Sequence, residues 1–405
     1  MSVSRPATAT RIGALVLAGV GVVSLLGGGL WVSREANSPT ASPPTSDTNG
    51  QSGMLPDKDS VLLAMRRVND RWIADHPSPG DNGWARATYF EGDMAMYAVY
   101  PSSSYLRYAT GWADDNAWDL KGGALTRNAD NQCAGQVYFD LYRIEPDSKR
   151  IAAIESSLAA MVAGEKIDDW SWADALQMAM PAFARMAVVS GDMEYSARLY
   201  EMYRWTRISQ GGGGLYSATD HLWWRDASYR PPTEAPNGKS VYWARGNGWV
   251  LAADARTIDE LDRLPAADPN RPEYVRLLRE MASAMAAIQQ PDGFWSANLL
   301  DPADPAGPET SGTALITYGL AWGVNHGVLD PGTYLPVIAR AWKGMVAIAV
   351  APDGKLGYIQ PVGTGPARSA TTSDSYDFGI GAFLLAGSEV VGLAPGSMPA
   401  VSLSP

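Results

Sequence analysis

The chain of 405 residues has one cysteine and three histidines. A single thiol, Cys133, excludes an intrachain disulfide, and it reads as a small buried hydrophobe rather than a nucleophile. The histidines form no cluster with zinc spacing, and no Walker or Rossmann glycine loop occurs in its strand-to-helix context. No metal or nucleotide cofactor is therefore expected. Cations are also outnumbered: 32 Lys and Arg against 43 Asp and Glu leave a net charge of −11, with no basic cluster. That excludes nucleic acid as a partner, since binding phosphates needs a concentrated basic surface. A small anionic ligand stays possible, because it needs only two or three placed cations. Strand-like runs are too few for an α/β fold. What remains is apolar and aromatic: 46% hydrophobic residues, 15 Trp and 18 Tyr, a globular composition.

Residues 12–32, "IGALVLAGVGVVSLLGGGLWV", carry no charge and follow Arg5 and Arg11. The run is long enough to span a bilayer, and the arginines favour keeping residues 1–11 in the cytoplasm. An uncleaved signal-anchor is the first reading and a cleaved signal peptide the second. Residues 33–53, rich in Ser, Thr and Pro, read as a flexible linker. The expected location is extracytoplasmic, with the membrane met only through the N-terminal segment. A folded domain is expected over 54–393, followed by a short tail, 394–405.

Within that domain one pattern recurs. A helix rich in Gly, Ala, Met and aromatics turns at a short acidic or Gly/Pro loop into a more polar, amphipathic helix. "WARATYFEGDMAMYAVY", "ADNQCAGQVYFDLYRI", "WSWADALQMAMPAFARMAVVSG", "YWARGNGWVLAADARTIDEL", "ETSGTALITYGLAWGVNHG" and "SDSYDFGIGAFLLAGSEVVG" are the first members. "SVLLAMRRVNDRWIAD" can supply the partner of the last. Helices apolar all round belong inside and one-sided helices outside. Six such pairs predict an all-α fold, an (α/α)6 barrel. A linear solenoid is the rival, but its repeats would resemble one another more closely.

Inner-helix starts should converge on one funnel. There the sequence places Asp93 with Trp84, Asp130 with Gln136, Asp174 with Trp172, Arg245 with Trp243 and Trp249, Thr310 with Ser311, and Asp377 with Tyr376. Aromatic platforms beside carboxylates are what a sugar site needs. For most of these acids a helix N-cap is an equally good reading. Asp174 escapes it, since Asp169 or Ser171 is placed to cap that helix. A carboxyl between indoles and thioethers has a raised pKa, which suits a general acid. In "YWARGNGWV", Arg245 is placed either to grip a carboxylate ligand or to pair with a structural Asp. Gly246 and Gly248 allow close backbone approach, and Asn247 tolerates left-handed geometry. His221, in the loop "DHLWWRDASYR", is a candidate ligand contact.

These stretches together, in one order over residues 80–390, resemble the bacterial unsaturated rhamnogalacturonyl and unsaturated glucuronyl hydrolases of glycoside hydrolase families 88 and 105. The resemblance implies an oligosaccharide substrate ending in a 4,5-unsaturated uronic acid. It also implies hydration of the vinyl ether: an Asp protonates C4, water adds at C5, and the product opens to release the saccharide. By motif Asp174 is that acid and Asp130 the second carboxylate, although Asn131 stands where the family often has another acid. His221, Trp243, Arg245 and Trp249 would contact the unsaturated sugar, with Trp172 and Gln136 beside the two carboxylates. Two alternatives stay open on the same barrel: an inverting glycosidase of saturated glycans, and a glycan-binding protein without catalysis.

Overall fold

Two kinds of helix alternate along the chain, and burial separates them. The computed structural model describes residues 54–396. Its helices are α1 (Lys58–Asp75), α2 (Trp84–Val99), α3 (Ser103–Asp115), α4 (Ala129–Gln132), α5 (Ala134–Ile144), α6 (Ala152–Val162), α7 (Asp174–Ser190), α8 (Glu194–Ile208), α9 (Ala244–Leu261), α10 (Arg271–Ile288), α11 (Thr310–Asn325), α12 (Pro331–Gly344) and α13 (Asp377–Leu393). In α7 every residue from Asp174 to Ala187 is buried, and in α9 every residue from Ala244 to Ile258. By contrast α10 buries only Tyr274, Val275, Leu277, Leu278, Met281, Ala282 and Met285, one stripe at helical spacing.

The buried helices form a closed inner ring. Helix α2 packs against α5 and α13, α7 against α5 and α9, and α11 against α9 and α13. Around it, α3 lies on α2, α8 on α7, α10 on α9 and α12 on α11, while α6 packs against α7 and α8. Helix α1 lies on α13, so the first helix of the domain completes the last hairpin. This is the six-hairpin barrel expected from the sequence. A linear solenoid is excluded because α13 returns to α2.

The crowding of inner helices explains their glycines. A Cβ on Gly92 of α2 would fall 2.3 Å from the carbonyl oxygen of Gly381 in α13, and one on Gly381 would fall 2.1 Å from the carbonyl of Thr88. The ring closes at this contact only because neither residue has a side chain.

Every inner helix starts at the same rim, which is built from the connections leading into them, among them 209–243, 289–309 and 350–376. The first carries a short antiparallel hairpin, β1 (Tyr216–Ser217) and β2 (Leu222–Trp223), with Tyr216 opposite Trp223. Asn247 of α9 pins it: its side chain accepts from the Trp223 N–H at 2.8 Å and donates to the Trp223 carbonyl at 2.9 Å. Asn247 is thus a helical clamp rather than the left-handed residue expected, because α9 already begins at Ala244. Among the described residues no helix is long and apolar enough to cross a membrane. The apolar run 12–32, the linker 33–53 and the tail beyond 396 lie outside the described residues.

Candidate active site

At the rim a cavity is walled by Trp84, Trp172, Trp243 and Trp249, with Asp130, Asp174, Arg225 and Arg245 among them. Met178 and the segment Val362–Thr364 complete it. Six residues expected from the sequence, Asp130, Asp174, Trp172, Trp243, Arg245 and Trp249, are therefore brought together.

Asp174 is the first residue of α7, and that start is set by a strand-like contact: the Ala173 N–H donates to the Arg225 carbonyl at 2.7 Å. No side chain caps the helix. The expected cap, Asp169, is instead bound by Arg127 and Lys166, and the Ser171 carbonyl accepts from Gln210. Asp174 is buried, with Oδ2 accepting from Arg225 Nε at 3.2 Å and Oδ1 without a hydrogen-bond partner. Oδ1 is itself buried beside Gly246, where a Cβ would lie 3.4 Å from it. Burial raises the Asp174 pKa above the usual carboxylate range, against the pull of Arg225 and Arg245. The helix start also favours the anion, but by only about 0.3–1 kcal/mol, whereas burial moves a carboxyl by up to about 3–5 pKa units.

Asp130 lies in the short helix α4, whose N-cap Asn128 accepts from the Asp130 N–H. Its pKa is pushed up to about 6, by burial first and by the Asp174 charge second, with Arg225 opposing both. Asp130 thus feels the charges of both Asp174 and Arg225.

Arg245 is not paired with a structural Asp within ion-pair distance. It is 1% exposed and, among the described residues, forms no ion pair. Nη1 donates to Ser311 Oγ at 3.3 Å and to the Gln360 carbonyl at 2.8 Å, and Nη2 to the Pro361 carbonyl at 2.8 Å. Its guanidinium lies 4.3 Å from the Trp243 ring and 4.7 Å from the Phe378 ring. Nε has no partner. Burial lowers its pKa to about 10, so it stays a cation at neutral pH. Burial is opposed by the carboxylates of Glu309 and Asp174, which act on this cation from beyond ion-pair distance.

Other expected residues lie elsewhere. His221 faces α10, with Nδ1 3.0 Å from Tyr216 Oη and 3.6 Å from Glu280. Gln136 points into the barrel, donating to the Gln177 and Met178 carbonyls and accepting from Arg256. Neither lines the cavity. Asp93 sits well below the rim within α2, bonded to Asn69 and pushed up to about 7 by burial. Asp377 pairs with Arg86, and Thr310 bonds the Gly357 carbonyl. Cys133 is buried against Glu91, as a structural thiol. The residue missed was Arg225, whose only signal was a charge beside two tryptophans in "HLWWRD". Among the described residues no group of three His, Cys, Asp or Glu is arranged to hold a metal ion.

Comparison with known proteins bears on this geometry. The family model described as Glycosyl Hydrolase Family 88 matches residues 61–394. An unsaturated 3S-rhamnoglycuronyl hydrolase of Formosa agariphila is 36% identical over 346 residues, covering 80% of this chain and 88% of that one. Another of that name, from an Alteromonas species, is 38% identical over 229 residues, and the match spans 55% of this chain and about half, 51%, of that relative. The solved structure of a glycosyl hydrolase family 88 protein from Bacteroides vulgatus superposes with a TM-score of 0.77 at 36% identity, over 83% of this chain and 99% of that one. The six-hairpin barrel, the tryptophan-walled cavity and these alignments agree, and the chain belongs to glycosyl hydrolase family 88.

Proposed function

We propose that this enzyme removes a 4,5-unsaturated uronic acid from the non-reducing end of an oligosaccharide left by a polysaccharide lyase. The observation that carries the reading is the pairing of a raised-pKa carboxyl, Asp174, with a buried arginine that has no carboxylate partner. The substrate presents both complements, an electron-rich double bond to protonate and a carboxylate to bind.

In this reading the unsaturated ring stacks among the tryptophans, with its carboxylate toward Arg245. Asp174 delivers its proton to C4. The positive charge that develops at C5 is shared with the ring oxygen. Water adds at C5 and gives its excess proton to Asp130 or back to Asp174. The net addition is H to C4 and OH to C5. The hemiketal so formed opens and expels the remaining saccharide. One well-placed acid suffices, which distinguishes this chemistry from inversion at a saturated glycoside, where two carboxyls act on opposite faces. The apolar run 12–32 supports an extracytoplasmic location, where lyase products arise. Fractionation of cells expressing the full chain tests that placement.

The function is tested by following the ultraviolet absorbance of the conjugated uronate while residues 54–405 act on lyase-generated disaccharides. Loss of absorbance with release of the partner sugar is expected. Unchanged absorbance with cleavage of saturated oligosaccharides would establish the inverting glycosidase instead. Binding of saccharide by calorimetry without any product would establish a glycan-binding protein.

A further inference from the structure

Behind Arg245 stands another carboxylate. Glu309 is 1% exposed and caps α11, with Oε1 accepting from the Ser311 N–H at 3.0 Å and Oε2 from the Gly312 N–H at 2.7 Å. Capping alone is the work of short side chains such as Ser, Thr, Asp and Asn. The longer glutamate does more. Its Oε1 also accepts from Ser311 Oγ at 2.5 Å and, across to the segment 350–376, from the Gln360 N–H at 3.2 Å. These donors together offset the burial of its charge.

Both residues that Glu309 reaches beyond the cap lead to the cavity. Ser311 Oγ, which donates to Glu309, accepts from Arg245 Nη1 at 3.3 Å. Gln360, whose N–H donates to Glu309, offers its carbonyl to the same Nη1 at 2.8 Å. The Gln360 side chain, 2% exposed, holds an indole as well: Oε1 accepts from Trp243 Nε1 at 2.9 Å, while Nε2 donates to the Arg368 carbonyl at 2.8 Å. The charge of Glu309 also acts on Arg245, foremost among the influences that oppose the effect of burial on that cation. Glu309, Ser311 and Gln360 do not line the cavity. Glu309 therefore bears on a ligand through Arg245 and Trp243 and not by contact.

We propose that Glu309, acting through Ser311 and Gln360, is the positioning residue that sets the Arg245 guanidinium and the Trp243 indole for the uronate carboxylate. The proposal rests on the function argued above. It assigns to a helix cap a part in reading the charge of the substrate.

The test compares the unsaturated disaccharide with its methyl ester, which keeps the double bond and removes the negative charge. The unaltered enzyme is expected to favour the free acid by about tenfold or more in kcat/KM. Glu309→Asp still caps α11 but is one methylene short of Gln360. Thr310 continues to tie the helix start to the Tyr358 and Gly357 carbonyls, so the segment itself stays in place. This variant is expected to lose about tenfold on the acid, mainly in KM, and no more than about twofold on the ester, with a melting temperature within a few degrees of the parent. Ser311→Ala, which removes only the hydroxyl link, is expected to lose about threefold on the acid alone, and it decides the question if Glu309→Asp does not fold. Equal losses on acid and ester, an unchanged preference in both variants, or an unaltered enzyme indifferent to the ester would overturn the positioning role. Failure of the unaltered enzyme to turn over either compound would overturn the function itself.

Discussion

Arg225 Nε lies 3.2 Å from Asp174 Oδ2, and the carbonyl of the same arginine anchors the residue before Asp174. One residue thus sets both the position of the carboxyl and which of its oxygens is hydrogen-bonded. Arg225 is in turn held by Asp226 at 2.9 Å, and Asp226 caps the turn that follows.

The first prediction concerns the Asp174 carboxyl. Asp174→Asn keeps the shape and the Arg225 contact but removes the transferable proton. Turnover of the unsaturated substrate should fall by about 10²–10⁴-fold, the usual worth of a positioned acid. The melting temperature should stay within a few degrees of the parent. Steady-state kinetics and thermal unfolding on the same preparation check both halves, and substantial residual activity would remove Asp174 from its role.

The second concerns Arg225. Its cation holds the Asp174 pKa down against burial, so Arg225→Gln should let that pKa rise further. The alkaline limb of the kcat profile then moves to higher pH while its plateau drops, because the carboxyl is less well oriented. A plateau loss without any movement of the limb would show orientation alone.

A third follows from Asp130, whose pKa is pushed up to about 6 by burial and by Asp174. If Asp130 receives the proton from water, kcat/KM should decline as pH falls through about 6. In Asp174→Asn the like charge is gone, so the Asp130 pKa should move down. Carboxyl titration by NMR in parent and variant reads the shift directly, and an unmoved value would mean that the two groups are not coupled.

A fourth lies away from the site. Both oxygens of Asp254 are buried without partners between α8, α9 and α10, alongside the unpartnered hydroxyls of Tyr203, Thr257 and Tyr274. Burial raises its pKa well above the ordinary value, against weaker pulls from Tyr203 and Arg207. The folded protein therefore holds this proton where the unfolded chain has released it. Stability from this group is complete at pH below the unfolded value and is lost as pH rises toward the folded one. Asp254→Asn should flatten the fall of denaturation free energy above about pH 4, by up to about 1.4 kcal/mol per pH unit. Urea unfolding at several pH values checks it; identical slopes would show Asp254 already ionised in the fold.

How far the residues alone carried the reading differs by feature. Helix faces are periodic, so the inner and outer members of each hairpin could be told apart before any coordinates, and α1 could be assigned to close the ring. Asp174, Trp172, Trp243 and Trp249 were legible because they stand at or beside the starts of inner helices, where the barrel gathers its rim residues. Side-chain direction was not legible. Gln136 and His221 stand in the same motifs as cavity residues, yet one turns into the barrel and the other toward Glu280. In Asp93 the error was depth, since it lies more than two helical turns below Trp84.

What the chain determined by itself is local: burial stripes, glycines where helices touch, and aromatic residues beside acids. Each of these depends on side chains one helical turn apart, which spacing records. Only the tertiary structure decided that Arg245 has no carboxylate partner, that Arg225 grips Asp174, and that Glu309 holds Gln360. Those facts join residues from 51 to 116 positions apart. Their consequence, the raised proton affinity of a carboxyl and the lowered one of an arginine, comes from exclusion of water, which no spacing in the sequence encodes.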